Sequence, residues 1–232
     1  MHFLAVSSEI EISKPNKKAF FCSMTNVIKR KSAEDYNENM KTIQPGEQAL
    51  TVQHPLFQLL ISEHAKITEK LQQLTAESLT HEDLEWLWVN AETNHHEREE
   101  KILFNFLLPD KRVDGGGPLC MLYMDGYIMQ PPLDRARAIT GTEPPLEEHQ
   151  INIFESGSAM RIPINEHRAG KDILRFLREK WETLSPEVKR RAFEEYRRIQ
   201  SENIKKEESC FFCMCSSLLS VQQADELFKK FV

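Results

Sequence analysis

The chain has 232 residues, 40% of them hydrophobic, and a net charge of −6. That is enough to bury one good core, and the acidity argues against nucleic acid as a partner. No apolar run approaches the ~20 residues needed to span a membrane, and the opening MHFLAVSSEIEISK lacks the basic, apolar and cleavage regions of a signal peptide, so no membrane partner and a cytoplasmic location are expected.

Residues 1–50 combine a short apolar opening, the basic patch Lys29-Arg30-Lys31 and a polar stretch ending in Pro45-Gly46, which reads as an N-terminal extension. Residues 51–232 are expected to form the folded domain. Its first helix, A, runs through ISEHAKITEKLQQL towards Leu79, with His64 on the apolar run Leu60, His64, Ile67, Leu71, Leu74. Helix B starts after Thr80, where Thr80 and Asp83 form a capping pair, and its stripe is read as Val89, Thr93, His96, Glu100, Leu103, Leu107.

Residues 110–163 form a long insertion between helices B and C. It runs through Gly115-Gly116-Gly117-Pro118, the apolar aromatic stretch CMLYMDGYIM and Pro131-Pro132. The Met and Tyr content favours an ordered cover with a short helix. The glycines are a turn and not a phosphate loop, because no Lys-Ser/Thr pair follows them. Helix C carries His167 with Gly170, Leu174, Leu177, Trp181 and Leu184, and Gly170 reads first as a helix-packing contact. Ser185 then caps helix D, Pro186 begins it, and Ala192, Tyr196, Ile199, Asn203 and Glu207 follow one face.

Short links make neighbouring helices antiparallel, so the expected fold is an all-α, up-down-up-down four-helix bundle. His64 and His96 stand 16 residues on either side of Thr80, while His167 and Asn203 stand 18 on either side of Ser185. At about 1.5 Å per residue, all four lie roughly 24–27 Å from one end and form a single layer. His54 falls about 15 Å outside that layer and is set aside. His95 is set aside too, because it is turned about 100° from His96 on an α-helix. A single core histidine is usually a hydrogen-bonded structural residue, but several buried carboxylates at the same level would cost several kcal/mol each without a cation. The joint pattern therefore points to a metal. A zinc-peptidase reading fails because no second His follows at the required spacing.

These words resemble the hemerythrin-like family of HHE cation-binding bundles. The family pattern is one His on the first helix, His-Glu-x-x-Glu on the second, one His on the third and His-x-x-x-Glu on the fourth. The second helix here reads His96-Glu97-Arg98-Glu99-Glu100 before the apolar Ile102-Leu103-Phe104. His64 in SEH and His167 in EHRAG match the first and third helices, and Lys206-Glu207 before Phe211-Phe212 matches the end of the fourth. Asn203 departs from the pattern, standing where an imidazole is expected. The resemblance covers about residues 53–109 and 163–230. It implies a non-haem di-iron centre with His64, His96, Glu100, His167 and Glu207 as ligands and Glu97 as an extra one, holding two irons, or one if Asn203 leaves a position short. The implied activity is reversible binding of dioxygen or nitric oxide, for storage or sensing. The alternatives are a redox enzyme acting on peroxide or nitric oxide or donating iron for cluster repair, and a bundle that has lost its metal and serves as an interaction protein. Of the five cysteines, Cys22 and Cys120 stand alone, and Cys210, Cys213 and Cys215 read as small core residues on the last turns of helix D.

Overall fold

His54 and Pro55 start the first helix, α1 (Pro55–Gln73). The proline ring presets the backbone at the first helical position, and the His54 Nδ1 accepts the Leu56 N–H at 3.2 Å. This computed structural model describes residues 51–109, 132–141 and 160–232. The expected N-terminal extension, the triple glycine and the CMLYMDGYIM stretch lie outside the described residues. The regular structure among them is all helical, with no strand, and none of their helices is long and apolar enough to cross a membrane.

Helix α1 buries Leu56, Phe57, Leu60, His64, Ile67 and Leu71, a stripe of alternating three- and four-residue steps. It stops at Gln73, six residues before the expected end. Thr75 and Ser78 bond each other's backbone and hydroxyl groups there, and this local turn competes with the helix. Leu74 and Leu79 still pack inward from it. The next helix, α2, begins as expected. The Thr80 hydroxyl accepts the Asp83 N–H at 3.2 Å and the Asp83 carboxylate accepts the Thr80 N–H at 2.9 Å, closing a capping box.

Helix α2 does not remain an α-helix. It runs as His81–Leu87, widens into π-helical turns over Trp88–His96 and Glu99–Phe104, and ends in Asn105–Leu107. One buried row, Leu87, Ala91, His95, Glu99, Leu103 and Leu107, keeps a spacing of four, with Glu92, His96 and Phe104 buried beside it. On an α-helix of 3.6 residues per turn, such a stripe drifts by about 40° at each step. Wider π turns absorb that drift and hold the stripe on one face. The expected stripe through Val89 and Thr93 is corrected accordingly: Val89 is 46% exposed and Thr93 is exposed too.

Within the insertion, α3 (Pro132–Thr140) packs against the two helices that follow and is tied to the second by the Arg135–Glu195 ion pair at 2.8 Å. It ends at Gly141, whose φ of 66° lies in the left-handed region that glycine adopts at no steric cost. Helix α4 (Arg161–Lys180) closes in a 3₁₀ turn, Trp181–Thr183. Ser185 then caps α5 by accepting the Val188 N–H, with Pro186 at the first position. Helix α5 runs Pro186–Lys206 and continues through a π turn, Glu207–Phe211, into Phe212–Leu218. A further capped helix, α6 (Val221–Phe231), packs on α1.

Two apolar clusters result. One contains Phe57, Leu60, Leu103, Phe104, Ile164, Phe211 and Phe212, together with α6. The other contains Ile67, Leu71, Leu87, Ala91, Ala169, Leu174, Phe193, Tyr196 and Ile199. On each of α1, α2, α4 and α5, the chain passes from one cluster to the other across a short buried polar segment.

Candidate metal centre

Those four segments supply His64 from α1; Glu92, His95, His96 and Glu99 from α2; His167 from α4; and Asn203 and Glu207 from α5. Each is at most 3% exposed. Polar groups this deep need partners, and the outer edges of the imidazoles have them. The Nδ1 of His64 lies 3.0 Å from a Glu208 oxygen, that of His95 2.9 Å from Glu63, that of His96 3.1 Å from Glu92 and that of His167 2.9 Å from Glu100. An ionised carboxylate only accepts, so in each pair Nδ1 carries the proton and donates it. This is the outer arrangement by which carboxylates fix and orient metal-binding imidazoles.

The opposite edges are different. The Nε2 atoms of His64, His95 and His96, both oxygens of Glu99, Oε2 of Glu207 and Oδ1 of Asn203 are buried without a hydrogen-bond partner among the described residues. Glu207 stands between two histidines, its Oε2 3.1 Å from His64 Nε2 without the alignment of a hydrogen bond, and its Oε1 3.2 Å from His167 Nε2. Glu99 Oε2 lies 3.9 Å from His95 Nε2 and 3.8 Å from His167 Nε2. Two groups of donor atoms therefore form, His64–His95–Glu207 and Glu99–His167–Glu207, each with all its atoms within 4.8 Å of one another, and each can hold a metal ion. Glu207 belongs to both. The His96 ring stacks on His167 with centroids 3.9 Å apart, beside the second group.

Magnitudes show what burying this layer costs. An unpartnered buried polar group costs about 1–3 kcal/mol, and a whole domain has only about 5–15 kcal/mol of stability. Seven such atoms in one layer are a burden that a bound cation would relieve. The charges lean the same way. Burial lowers the His64 pKa, but contacts with Glu207 and Glu208 outweigh it and push the imidazole up to about 9. Burial also opposes the charge on His167, and Glu100 and Glu207 again win, holding it well above the ordinary value. His95 is held well below that value by burial and then by the neighbouring His64 and His96, and His96 is lowered by burial and then by His167. Burial and the nearby Glu207 push Glu99 far up; Glu207, although buried, is held well below the carboxylate range by His167 and His64. Protons thus occupy the places where positive charge is needed.

Of the residues expected as ligands, the structure brings His64, His96, His167 and Glu207 together, and Asn203 joins them by donating from Nδ2 to Glu207 Oε1 at 2.9 Å. Two expected residues lie elsewhere. Glu97 is half-buried and held by Lys101 at 2.9 Å and Lys171 at 3.0 Å, outside both groups. Glu100 backs His167 from the outside. Their places are taken by His95 and Glu99, because the π turns rotate the stripe by one position. The clue was in the sequence: the spacing of four through Leu87, Ala91, His95, Glu99 and Leu103 continues too long for an α-helix. His54 lies outside the layer, with Nε2 on Asp225 at 3.1 Å. Gly170 is a packing contact, as expected, since a Cβ there would stand 2.8 Å from Gln200 Nε2. In the cysteine cluster, Cys215 is a fully buried thiol, as expected of a small core residue, whereas Cys210 is disulfide-bonded and so is not the plain core residue expected. No protein-family model, curated protein or solved structure was found to match the chain.

Proposed function

We propose that this chain is a hemerythrin-like, up-down-up-down four-helix bundle that holds two irons in its polar layer and binds dioxygen or nitric oxide reversibly. The observation that carries the proposal is the pair of buried carboxylates, Glu99 and Glu207, lying between four imidazoles whose outer nitrogens are already engaged. Pairing between helices supports the bundle. Glu63 meets His95 and Lys70 meets Asp83; Glu85 meets Arg178 and Glu100 meets His167; Glu166 meets Lys206 and Gly170 faces Gln200; Glu207 meets His64 and Phe212 meets Phe57. In every set the partner number falls as the first number rises, as it does between antiparallel neighbours.

Imidazole and carboxylate donors without a thiolate suit iron, and a carboxylate shared between the two groups, Glu207, suits a pair of ions. Bound iron would supply affinity for a small diatomic molecule. The protein's own part is to orient and to exclude water. Glu208, Glu63, Glu92 and Glu100 hold the rings with their Nε2 edges turned away from these carboxylates. Phe212 stacks on His64 at 5.6 Å and Phe104 on His167 at 5.7 Å, sealing the layer on the side of the first apolar cluster. The test is metal analysis of protein produced with iron, combined with absorption spectra before and after oxygen and azide. Close to two irons per chain and a spectrum that changes reversibly with oxygen are expected. A chain without stoichiometric transition metal sinks the proposal, and sustained turnover of peroxide would replace binding with enzymatic reduction.

A further inference from the structure

Of the four carboxylates behind the imidazoles, Glu92 is set apart. The side chains of Glu208, Glu63 and Glu100 are 40%, 17% and 16% exposed, whereas that of Glu92 is 1% exposed. Its two oxygens do different things. Oε2 lies 3.1 Å from His96 Nδ1, and Oε1 accepts the Tyr196 hydroxyl at 3.0 Å and the Gln200 Nε2 at 3.3 Å. Glu92 and His96 are four apart on α2, as are Tyr196 and Gln200 on α5. Between these helices stands Gly170 of α4, where a Cβ would meet Gln200 Nε2 at 2.8 Å, Tyr196 Cε2 at 3.6 Å and Glu92 Oε1 at 3.7 Å. The missing side chain at Gly170 makes room for the Gln200 amide to reach Glu92.

We propose that Glu92, Tyr196, Gln200 and Gly170 form a positioning unit that fixes His96 with its proton on Nδ1 and its Nε2 lone pair free, making His96 a ligand of the metal held beside His167 and not of the one held by His64 and His95. The inference rests on the metal-binding reading of the layer. It follows from what a carboxylate does with these partners as they stand. Glu92 accepts from His96 on one oxygen and from Tyr196 and Gln200 on the other, whereas an amide has one acceptor oxygen and one donor nitrogen, so that either His96 loses its acceptor or Tyr196 and Gln200 must both turn round. The free Nε2 of His96 is buried and unpartnered, as a lone pair reserved for a cation must be. The two metal positions are therefore inequivalent: one has the sealed Glu92 network behind it beside the more exposed Glu100, and the other is backed by Glu63 and Glu208, which both reach solvent.

Cobalt(II) added without oxygen to the metal-free full chain tests this, read by visible absorption and by the metal retained per chain. The histidine tautomers are followed by ¹⁵N NMR of the metal-free protein. Wild type should bind two cobalt ions and show His96 protonated on Nδ1. Glu92→Gln should weaken one of the two ions by about 10–100-fold, the usual cost of losing such an outer partner, leave the other as in wild type, and scramble the His96 tautomer. Tyr196→Phe keeps the ring and removes only the hydroxyl, so it guards against a folding defect; it should give a smaller loss of the same ion with the same change in the absorption bands. Equal weakening of both ions in Glu92→Gln, or wild-type bands and affinity in both variants, would overturn the positioning role while leaving the metal centre standing. A wild-type chain that takes up no cobalt, copper, iron or zinc overturns both.

Discussion

Helices α1 and α4 each deliver one imidazole to the polar layer on regular α-helical turns, whereas α2 and α5 reach it on π turns and deliver everything else. On α1 the buried steps alternate between three and four, Leu60, His64, Ile67, Leu71, which an α-helix keeps on one face. On α5 they settle to four from Ile199 onwards, through Asn203, Glu207, Phe211 and Cys215, and the π turn Glu207–Phe211 falls inside that run. On α2 the same regular four spans the whole layer. A π turn gives up good hydrogen-bond geometry, and such turns gather at functional sites. Here they let one helix place His95 and Glu99, one turn apart, on the same inner face, with Glu92 and His96 beside them.

The comparison breaks most visibly through the ligands. His95→Ala and Glu99→Ala should strip metal as fully as His64→Ala and His167→Ala, with losses of affinity beyond the roughly 10–100-fold of an outer partner. Glu97→Ala should leave the metal content unchanged, because its carboxylate is spent on Lys101 and Lys171. Metal analysis of the five variants decides the register of α2. Loss in Glu97→Ala with retention in His95→Ala would restore the ligand set that the family resemblance implies.

A smaller effect sharpens the same point. Glu99 is wholly buried and neither of its oxygens has a hydrogen bond among the described residues, so in the metal-free chain it is a liability. Glu99→Gln removes an ionisable group that the metal-free fold buries only by protonating it, and keeps the shape. The metal-free protein should gain stability on the order of 1 kcal/mol near neutral pH, because folding no longer has to draw a proton onto the carboxylate, while metal uptake falls. Urea unfolding of both metal-free proteins measures it, and a less stable variant would mean that Glu99 already contributes to the fold without a cation.

The level of the layer was legible because helix rise and turn positions are local quantities: counting from Thr80 and Ser185 brings His64, His96, His167 and Asn203 to one depth, where they meet. The face on α2 was not legible, because 3.6 residues per turn was assumed where the backbone widens; this set His95 aside and put Glu100 on the stripe in place of Glu99, while Glu97 entered through the family resemblance. The partners behind the rings were not legible either. Glu208, Glu63 and Glu92 carry no spacing signal of their own, and only packing shows that each faces an Nδ1. Helix α6, with Ser220 and Gln223 forming a capping box before an amphipathic run, was readable by the same rule that found Thr80 and Asp83.

The smallest prediction concerns that first cap, where α2 is still a regular helix. Thr80→Ala removes the hydroxyl that accepts the Asp83 N–H and should cost about 1 kcal/mol, with no change in metal content, because the cap lies about 24 Å from the layer by helix rise. Asp83 adds a dependence on pH. Partial burial pushes its carboxyl up, but Lys70 at 2.6 Å and the two bonds from Thr80 outweigh that and hold it below its ordinary value. A depressed acid stabilises the fold above its unfolded pKa of about 3.9 and loses that contribution as the pH falls through the lower folded value. The urea midpoint of wild type should therefore exceed that of Asp83→Asn near neutral pH, and the two should converge in strong acid. A gap that persists unchanged in acid would show that the amide fails sterically, and that the Lys70 and Thr80 bonds to the charged carboxylate are not what stabilises the start of α2.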